Sequence, residues 1–212
     1  MTMLTFNEAV QRCPLVAILR GVKPAEVVDI GTALVESGFT VIEVPLNSPE
    51  PLESISRLSA AVGERALVGA GTVLRESQVD QIAQAGGRLV VMPHADEGVV
   101  RRAKQLGLYA LPGFGTPTEA FAMLAAGADG LKLFPAEASP PAVLKALCAV
   151  LPKDTLIFPV GSITPDNMHP YIKVGARGFG LGSALYKPGA TADQVKDAAR
   201  RFIDALHGTQ SV

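Results

Sequence analysis

Lys132 stands inside a short apolar segment, GLKLFPAEA (130–138), where a lysine is not expected. Burying an isolated ammonium group costs several kcal/mol, so such a lysine needs a partner or a shifted pKa. Desolvation and a nearby cation both favour the neutral amine, which is the nucleophilic form. A neutral amine attacks a ketone to form a Schiff base, and the protonated imine then eases cleavage of the adjacent C–C bond. Lys132 is therefore a candidate for imine chemistry.

Two further charged residues belong to apolar segments of similar length. Glu43 lies in VIEVPLN, and Arg20 stands near the end of LVAILRG. Alternate side chains of a barrel strand face inward, so the neighbours Ile42 and Val44 are expected to face the helices while Glu43 faces the interior. By the same alternation Lys132 faces inward, and Glu43 becomes a candidate proton shuttle. The residues alone leave open a purely structural Lys132–Glu43 ion pair.

Glycine-rich sequences end three of the apolar segments: VGAGTV, PVGSITPDN and GLGSALY. Gly161 and Ser162 close the second of these, and Gly182 and Ser183 close the third. Backbone N–H groups in such loops, with helix starts behind them, bind anions, and in (β/α)8 barrels the loops after strands seven and eight frequently bind phosphate. We therefore predict a phosphate site at these two loops, with tight turns that bind nothing as the alternative.

The elements that must position these residues follow from the hydrophobic pattern. Eight apolar segments of strand length, rich in Val, Leu and Ile, alternate with helical patterns, and one further helix is predicted around residues 5–12. Thr116 with Glu119 forms a predicted capping box, and Ser48 is a predicted cap for the helix that follows it. The strand segments are residues 15–21, 40–47, 66–73, 88–93, 108–115, 130–135, 156–162 and 178–183.

This alternation predicts an α/β protein, because strands joined by helices pair in parallel. Eight such units predict a (β/α)8 TIM barrel with a short N-terminal helix, as a single domain over residues 1–212. An open doubly wound sheet is the alternative. In a barrel, active sites lie at the C-terminal ends of the strands, which is where Lys132, Glu43 and Arg20 are expected to meet.

Composition argues against several classes of protein. The net charge is −1, aromatic residues make up 5%, and no long basic run occurs, so we expect no nucleic-acid partner. No uncharged apolar run reaches about 18 residues, and the N-terminus does not resemble a signal peptide, so we expect a cytoplasmic protein without membrane contact. The three histidines and two cysteines lack metal-ligand spacing, and we expect no metal. They are His94, His169, His207, Cys13 and Cys148.

The segments ILRG, EVPLNSP, VGAGTV, LKLFPAEA, FPVGSITPDN and GLGSALY resemble, in order and spacing, the bacterial 2-keto-3-deoxy-6-phospho-aldonate aldolases. The resemblance covers nearly the whole chain. It implies a metal-independent class I aldolase on a (β/α)8 barrel, with no cofactor, commonly assembled as a homotrimer. It also implies a phosphorylated keto-acid substrate that is split into pyruvate and D-glyceraldehyde 3-phosphate.

The same resemblance implies roles for individual residues. Lys132 matches the Schiff-base lysine, and Glu43 matches the general acid/base, which acts through a water molecule. Arg20 and Thr72 match positions that contact the keto-acid end of the substrate. The phosphate-binding loops are matched by Gly161, Gly182 and Ser183.

Two positions distinguish branches of that family, and a third departs from the branch that they indicate. Asn47 stands where the gluconate enzymes carry an arginine, and Val160 stands where they carry a threonine. Both residues resemble the galactonate branch, which implies 2-dehydro-3-deoxy-6-phospho-D-galactonate as substrate, with the gluconate epimer at C4 as the alternative. Ser162 replaces a second glycine of that branch, and either its hydroxyl adds a phosphate contact or its Cβ crowds the anion.

Two other functions are compatible with the same residues. A phosphosugar isomerase or epimerase on this barrel would use Glu43 as base and Lys132 as an electrostatic helper, and it would form no imine that borohydride traps. A phosphosugar-binding barrel without turnover would bind its ligand and release no product.

Overall fold

The computed structural model describes residues 3–208, and within them nine β-strands and nine α-helices alternate except where the sixth strand follows the fifth directly. Each apolar segment of the sequence contains a strand, so the predicted positions are confirmed. The strands are β1 (Leu15–Ile18), β2 (Val41–Pro45), β3 (Leu67–Gly71), β4 (Leu89–Val91), β5 (Tyr109–Leu111), β6 (Gly113–Phe114), β7 (Leu131–Leu133), β8 (Ile157–Pro159) and β9 (Phe179–Leu181).

Local sequence signals also position the helices. The predicted N-terminal helix begins after Thr5, which forms a capping box with Glu8. Thr116 forms the predicted box with Glu119. No helix among residues 3–208 is long and apolar enough to cross a membrane. The helices are α1 (Phe6–Arg12), α2 (Val27–Glu36), α3 (Pro51–Val62), α4 (Glu76–Gln84), α5 (Glu97–Gln105), α6 (Pro117–Ala125), α7 (Pro141–Cys148), α8 (Met168–Lys173) and α9 (Ala192–Gly208).

The prediction that Ser48 caps a helix is wrong. Helix α3 begins at Pro51, and Glu50 occupies the N-cap position with a φ of 41° and no side-chain cap. Ser48 is buried instead, and its hydroxyl oxygen accepts a hydrogen bond from the Gly21 N–H at 2.9 Å. This bond joins the loop after β2 to the loop after β1, next to Arg20.

The strands form a curled, parallel α/β sheet in two hydrogen-bonded parts. The larger part has the order β5-β4-β3-β2-β1-β9, and the smaller has the order β6-β7-β8. The predicted fifth strand, residues 108–115, is divided at Pro112, which lacks an N–H for the ladder. The Pro112 carbonyl still accepts a hydrogen bond from the Lys132 N–H at 2.8 Å. On the other side, Val160 and Gly180 form a parallel bridge.

Two clusters of apolar side chains lie on opposite faces of the strands. The inner cluster contains Val16, Val41 and Phe158 and is covered at one end by Phe6 of α1. The larger cluster fills the space between strands and helices and includes Ile42, Val44, Leu131 and Leu133. The alternation that predicts Lys132 and Glu43 on the inner face is therefore matched by the packing of their neighbours.

Candidate active site

Lys132 lies in the middle of β7 and is only 5% exposed. Its Nζ is 4.8 Å from the centre of the Phe134 ring. Burial lowers the pKa of the Lys132 ammonium, the Arg20 charge lowers it further, and Glu43 opposes both. A neutral amine is therefore more accessible at Lys132 than at an exposed lysine.

Glu43 lies in β2 with 1% exposure, and its carboxylate fills the space above Gly71. A Cβ at Gly71 would lie 1.8 Å from Oε2 of Glu43, so the glycine makes room for the carboxylate. Within residues 3–208 no hydrogen-bond donor reaches Oε2. Burial raises the pKa of Glu43 to about 7, against the opposing charges of Lys132 and Arg20. Glu43 therefore exchanges a proton readily near neutral pH.

Arg20 follows β1 and contacts the residues that follow β2 and β3. Its Nη1 donates a hydrogen bond to Oδ1 of Asn47 at 2.7 Å, and its Nη2 lies 3.5 Å from Oγ1 of Thr72. Thr72 has a φ of 55°, a left-handed conformation that is uncommon for threonine. The structure thus brings Arg20, Asn47 and Thr72 together at the C-terminal ends of three neighbouring strands.

A cavity of ≈ 600 Å³ opens beside these residues, a volume suited to a small-molecule ligand. Arg20 and Phe134 are part of its wall, and they connect it to the more deeply placed Lys132. Among the described residues, Lys132, Glu43, Asn47 and Thr72 lie outside this wall. The predicted site residues that line it are Arg20, Val160, Gly161, Ser162, Gly182 and Ser183.

The loops after β8 and β9 form one side of the cavity. Gly161 has a φ of 119°, and a Cβ there would lie 2.2 Å from Oε2 of Glu137. Ser162 has a φ of 49°, and its hydroxyl donates a hydrogen bond to Oε1 of Glu137 at 2.6 Å. A Cβ at Gly182 would meet no atom within 4 Å, so this glycine borders open space.

Val160 connects the same loop to the neighbouring strand. It is 6% exposed, lines the cavity, and packs against Gly180, where a Cβ would lie 2.6 Å from Cγ2 of Val160. A residue larger than glycine at position 180 would therefore displace Val160 from its place in the cavity wall.

Sequence reasoning missed several residues of the site. Phe134 and Glu137 line the cavity, and both belong to the LKLFPAEA segment that drew attention to Lys132. The placement of Glu137 depends on the 3-10 turn Ala136–Ala138, which strand alternation does not predict. Lys187 also lines the cavity, and its position soon after Ser183 is the sequence signal that could have identified it as a site residue. Within residues 3–208 no group of three or more His, Cys, Asp or Glu residues is placed to hold a metal ion.

Comparison with known proteins places this arrangement among aldolases. A family model described as KDPG and KHG aldolase matches residues 6–201. A Rhizobium meliloti (strain 1021) protein named "Probable 2-dehydro-3-deoxy-6-phosphogalactonate aldolase" is 48% identical over 200 residues, which cover 93% of this chain and 94% of that protein. The 2-dehydro-3-deoxy-6-phosphogalactonate aldolase of Escherichia coli (strain K12) is 45% identical over 194 residues, with 92% and 95% covered. A solved structure described as "Native KDPGal structure" has a TM-score of 0.93 at 43% identity, covering 95% of this chain and 98% of that chain.

Proposed function

Because the chain belongs to the KDPG and KHG aldolase family, we propose that it cleaves 2-dehydro-3-deoxy-6-phospho-D-galactonate to pyruvate and D-glyceraldehyde 3-phosphate. The observation that carries the chemistry is a buried lysine, Lys132, whose pKa is lowered by burial and whose electrostatic neighbours are Glu43 and Arg20. The substrate assignment is supported by the names of the relatives in Rhizobium meliloti and Escherichia coli.

In this mechanism the neutral amine of Lys132 attacks the C2 ketone, and loss of water gives a protonated imine. The proton of the C4 hydroxyl passes to Glu43, through a water molecule, as the C3–C4 bond breaks. The bonding electrons move into the imine, which becomes an enamine, and the three-carbon aldehyde leaves. Protonation of the enamine at C3 and hydrolysis of the imine release pyruvate and regenerate the amine.

The remaining residues bind the two charged ends of the substrate. Arg20 neutralises the keto-acid carboxylate, with Thr72 beside it and Asn47 holding the guanidinium group. The loops that contain Gly161, Ser162, Gly182 and Ser183 bind the phosphate with backbone N–H groups. The shared cavity wall supports this arrangement, because it joins Arg20 to both loops.

Val160 sets the preference between the C4 epimers in this proposal. Its apolar side chain offers no hydrogen bond to the C4 hydroxyl, and adding or removing one hydrogen bond to a substrate hydroxyl in a buried site changes selectivity by about 1–3 kcal/mol. We expect Val160→Thr, which has nearly the same shape, to shift the ratio of kcat/KM for the two epimers about tenfold towards the gluconate compound.

Pyruvate release from the two phosphorylated keto-acids, each measured at several concentrations, tests the substrate assignment. The proposal predicts a higher kcat/KM for the galactonate epimer. A higher kcat/KM for the gluconate epimer would overturn the substrate, and absence of pyruvate from both compounds would overturn the aldolase activity of this chain.

We further propose that the two parts of the sheet close into a single (β/α)8 barrel domain over residues 1–212. The support comes from both seams: β5 and β6 are separated by Pro112 alone, and the Val160–Gly180 bridge joins β8 to β9. A closed barrel leaves no strand edge exposed, and it brings all the strand ends to a single mouth.

A homotrimer is the proposed assembly, on the basis of the resemblance to this family and of apolar side chains left exposed. Phe121, Val143 and Val150 are exposed on or near α6 and α7, and such residues are commonly covered by a partner. Analytical ultracentrifugation should give three times the 22.1 kDa mass of the chain. A monomer at micromolar concentration would contradict the proposal.

The cytoplasm is the proposed compartment, because a phosphorylated keto-acid carries several charges and does not cross a bilayer unaided. Cell fractionation should recover the protein with cytoplasmic markers, and recovery with membranes or in the medium would contradict this.

A further inference from the structure

Glu137 is a carboxylate in the cavity wall to which the mechanism above gives no role. It follows β7, the strand that carries Lys132, by a few residues. It lies on the 3-10 turn Ala136–Ala138, between β7 and the loop after β8. Its side chain is exposed to the cavity opening, and one of its oxygens lies over Gly161. An acidic group there is unexpected, because the adjacent loops are proposed to bind phosphate.

Several hydrogen bonds hold this turn in place. The Tyr171 hydroxyl lies within hydrogen-bond distance of the Ala136 and Ser139 carbonyls, at 3.1 and 3.3 Å. The Ala136 N–H donates to the Val160 carbonyl at 2.9 Å. Because Tyr171 belongs to α8 and Val160 follows β8, the turn after β7 is fixed to the neighbouring strand and to the helix that follows that strand. Glu137 is therefore presented from a rigid backbone.

The carboxylate itself is oriented by Ser162, whose hydroxyl donates to Oε1 at 2.6 Å, while the Asn167 amide donates to the Ser162 carbonyl at 2.8 Å. Within residues 3–208 no other hydrogen-bond donor and no ion-pair partner reaches the Glu137 carboxylate. An ionised carboxylate has about four acceptor positions, so Glu137 retains acceptor capacity that faces the cavity.

Charge and connectivity decide which part of the substrate meets this acceptor. The carboxylate end belongs with Arg20 and the phosphate end with the loops, and both are anions that Glu137 repels. The neutral middle of the molecule carries hydroxyls at C4 and C5. The C4 oxygen must lie where its proton passes to Glu43, which leaves the C5 hydroxyl as the donor available to Glu137.

We propose that Glu137 is a specificity-determining residue that accepts a hydrogen bond from the C5 hydroxyl of the substrate, in an orientation set by Ser162. This assignment rests on the proposed aldolase function, because it assumes a three-carbon phosphorylated aldehyde half. It also gives Ser162 a defined role: its hydroxyl orients a carboxylate.

Aldol addition, the reverse reaction, tests the proposal with two aldehydes. D-Glyceraldehyde 3-phosphate carries the hydroxyl that becomes the C5 hydroxyl, and 3-oxopropyl phosphate lacks it. We expect the wild-type protein to prefer the hydroxylated aldehyde about 10–100-fold in kcat/KM, because a hydrogen bond to a charged acceptor changes a binding free energy by an amount that corresponds to about this factor. Glu137→Gln keeps a neutral acceptor and should reduce the preference to about 3–10-fold, and Glu137→Ala should abolish it.

Ser162→Gly tests the orienting role of Ser162. It removes the hydroxyl that holds Oε1 of Glu137 and keeps the Glu137 carboxylate, and the Ser162 φ of 49° suits glycine. Because the carboxylate is then present but no longer oriented, the preference between aldehydes should fall below that of the wild type and stay above that of Glu137→Ala. If the Glu137 variants slow both aldehydes equally, or keep the full preference, Glu137 only braces the loop and the proposal is overturned.

Borohydride trapping of pyruvate separates this failure from failure of the proposed function. Pyruvate has no hydroxyl for Glu137, so trapping should be equal in wild type, Glu137→Gln and Glu137→Ala, which also shows that the variants fold. If all three proteins trap pyruvate but the Glu137 variants keep the wild-type preference between the aldehydes, only the proposed role of Glu137 is contradicted. Absence of trapping in the wild type contradicts both proposals.

Discussion

At the scale of single residues, the chemistry depends on two buried groups whose protonation differs from that of exposed residues. Burial favours the neutral form of each: it raises the pKa of Glu43 to about 7 and lowers the pKa of Lys132. An amine that is more easily neutral and a carboxyl group that is more easily protonated are the two partners that imine formation and proton transfer require.

Glu43→Gln tests the proton transfer. Glu43 must be deprotonated to accept the C4 proton, so wild-type cleavage should rise as the pH increases through about 7 and be lost below it. In the variant we expect kcat/KM to fall about 10²–10⁴-fold and the rise near pH 7 to disappear. The measurement is a pH profile of kcat/KM from about pH 5 to 9, and a variant that keeps the wild-type rise would show that another group titrates.

Asn47→Ala tests the positioning of Arg20. Loss of the 2.7 Å hydrogen bond frees the guanidinium group, and a hydrogen bond to a charged group contributes about 1.5–3 kcal/mol. We expect KM for the keto-acid to rise about 10-fold or more with a smaller change in kcat. Asn47→Asp, which retains the oxygen acceptor, should bind substrate more tightly than the alanine variant; equal KM values in all three proteins would argue against this role.

The sequence predicted these residues because strand alternation assigns each inward charge to one face. It did not predict how the charges are accommodated. The space for the Glu43 carboxylate comes from Gly71 on the neighbouring strand, and that contact depends on the register between β2 and β3. Register is a property of paired strands, so one strand's sequence does not reveal it.

At the scale of elements, the loops after β8 and β9 differ in what their glycines do. Gly161 has a φ of 119° and faces Glu137, whereas a Cβ at Gly182 would meet nothing within 4 Å. One glycine is required by the protein's own backbone and packing. The other leaves space that a ligand can use.

Gly161→Ala and Gly182→Ala form a matched pair that separates these roles. Gly161→Ala should lower the free energy of unfolding by about 1–3 kcal/mol, because alanine is strained at that φ and collides with Glu137. Gly182→Ala should change it by less than about 0.5 kcal/mol and instead raise KM for the phosphorylated substrate. Urea unfolding and steady-state kinetics provide both values, and a Gly182→Ala protein with an unchanged KM would remove that loop from the phosphate site.

Helices and loops were predictable where a cap or a glycine controls the backbone locally. Thr116 and Glu119 reveal a helix start by themselves, because the capping box lies within one helical turn. Ser48 has the same local signal but bonds to Gly21, a residue distant in the sequence. Ser48 forms this tertiary hydrogen bond in place of a helix cap, and no local sequence pattern predicts it.

At the scale of the whole molecule, the site depends on joining β8 to β9. Gly180 permits this contact, since a Cβ there would lie 2.6 Å from Cγ2 of Val160. The alternation of strands and helices was sufficient to predict a parallel α/β fold, but the break at Pro112 was not predicted. The break lies where the chain passes from the larger hydrogen-bonded part of the sheet, which ends at β5, to the smaller part, which begins at β6.

A double-mutant cycle tests that seam. Gly180→Ala should destabilise the protein by about 1–3 kcal/mol through overpacking against Val160. Val160→Ala removes the colliding methyl groups, so the double variant should be more stable than the sum of the single changes by about 0.5–3 kcal/mol. Urea denaturation of the four proteins gives the coupling energy, and additive effects would contradict the proposed closure at Val160 and Gly180.

The central claim is that Lys132 forms an imine with the keto-acid. Intact-mass measurement after incubation with pyruvate and sodium borohydride, followed by peptide mapping, tests it most directly. We predict one reduced pyruvate adduct per chain, located on Lys132, and none in a folded Lys132→Ala protein. No adduct on the folded wild-type protein, or an adduct on a different lysine, would contradict it.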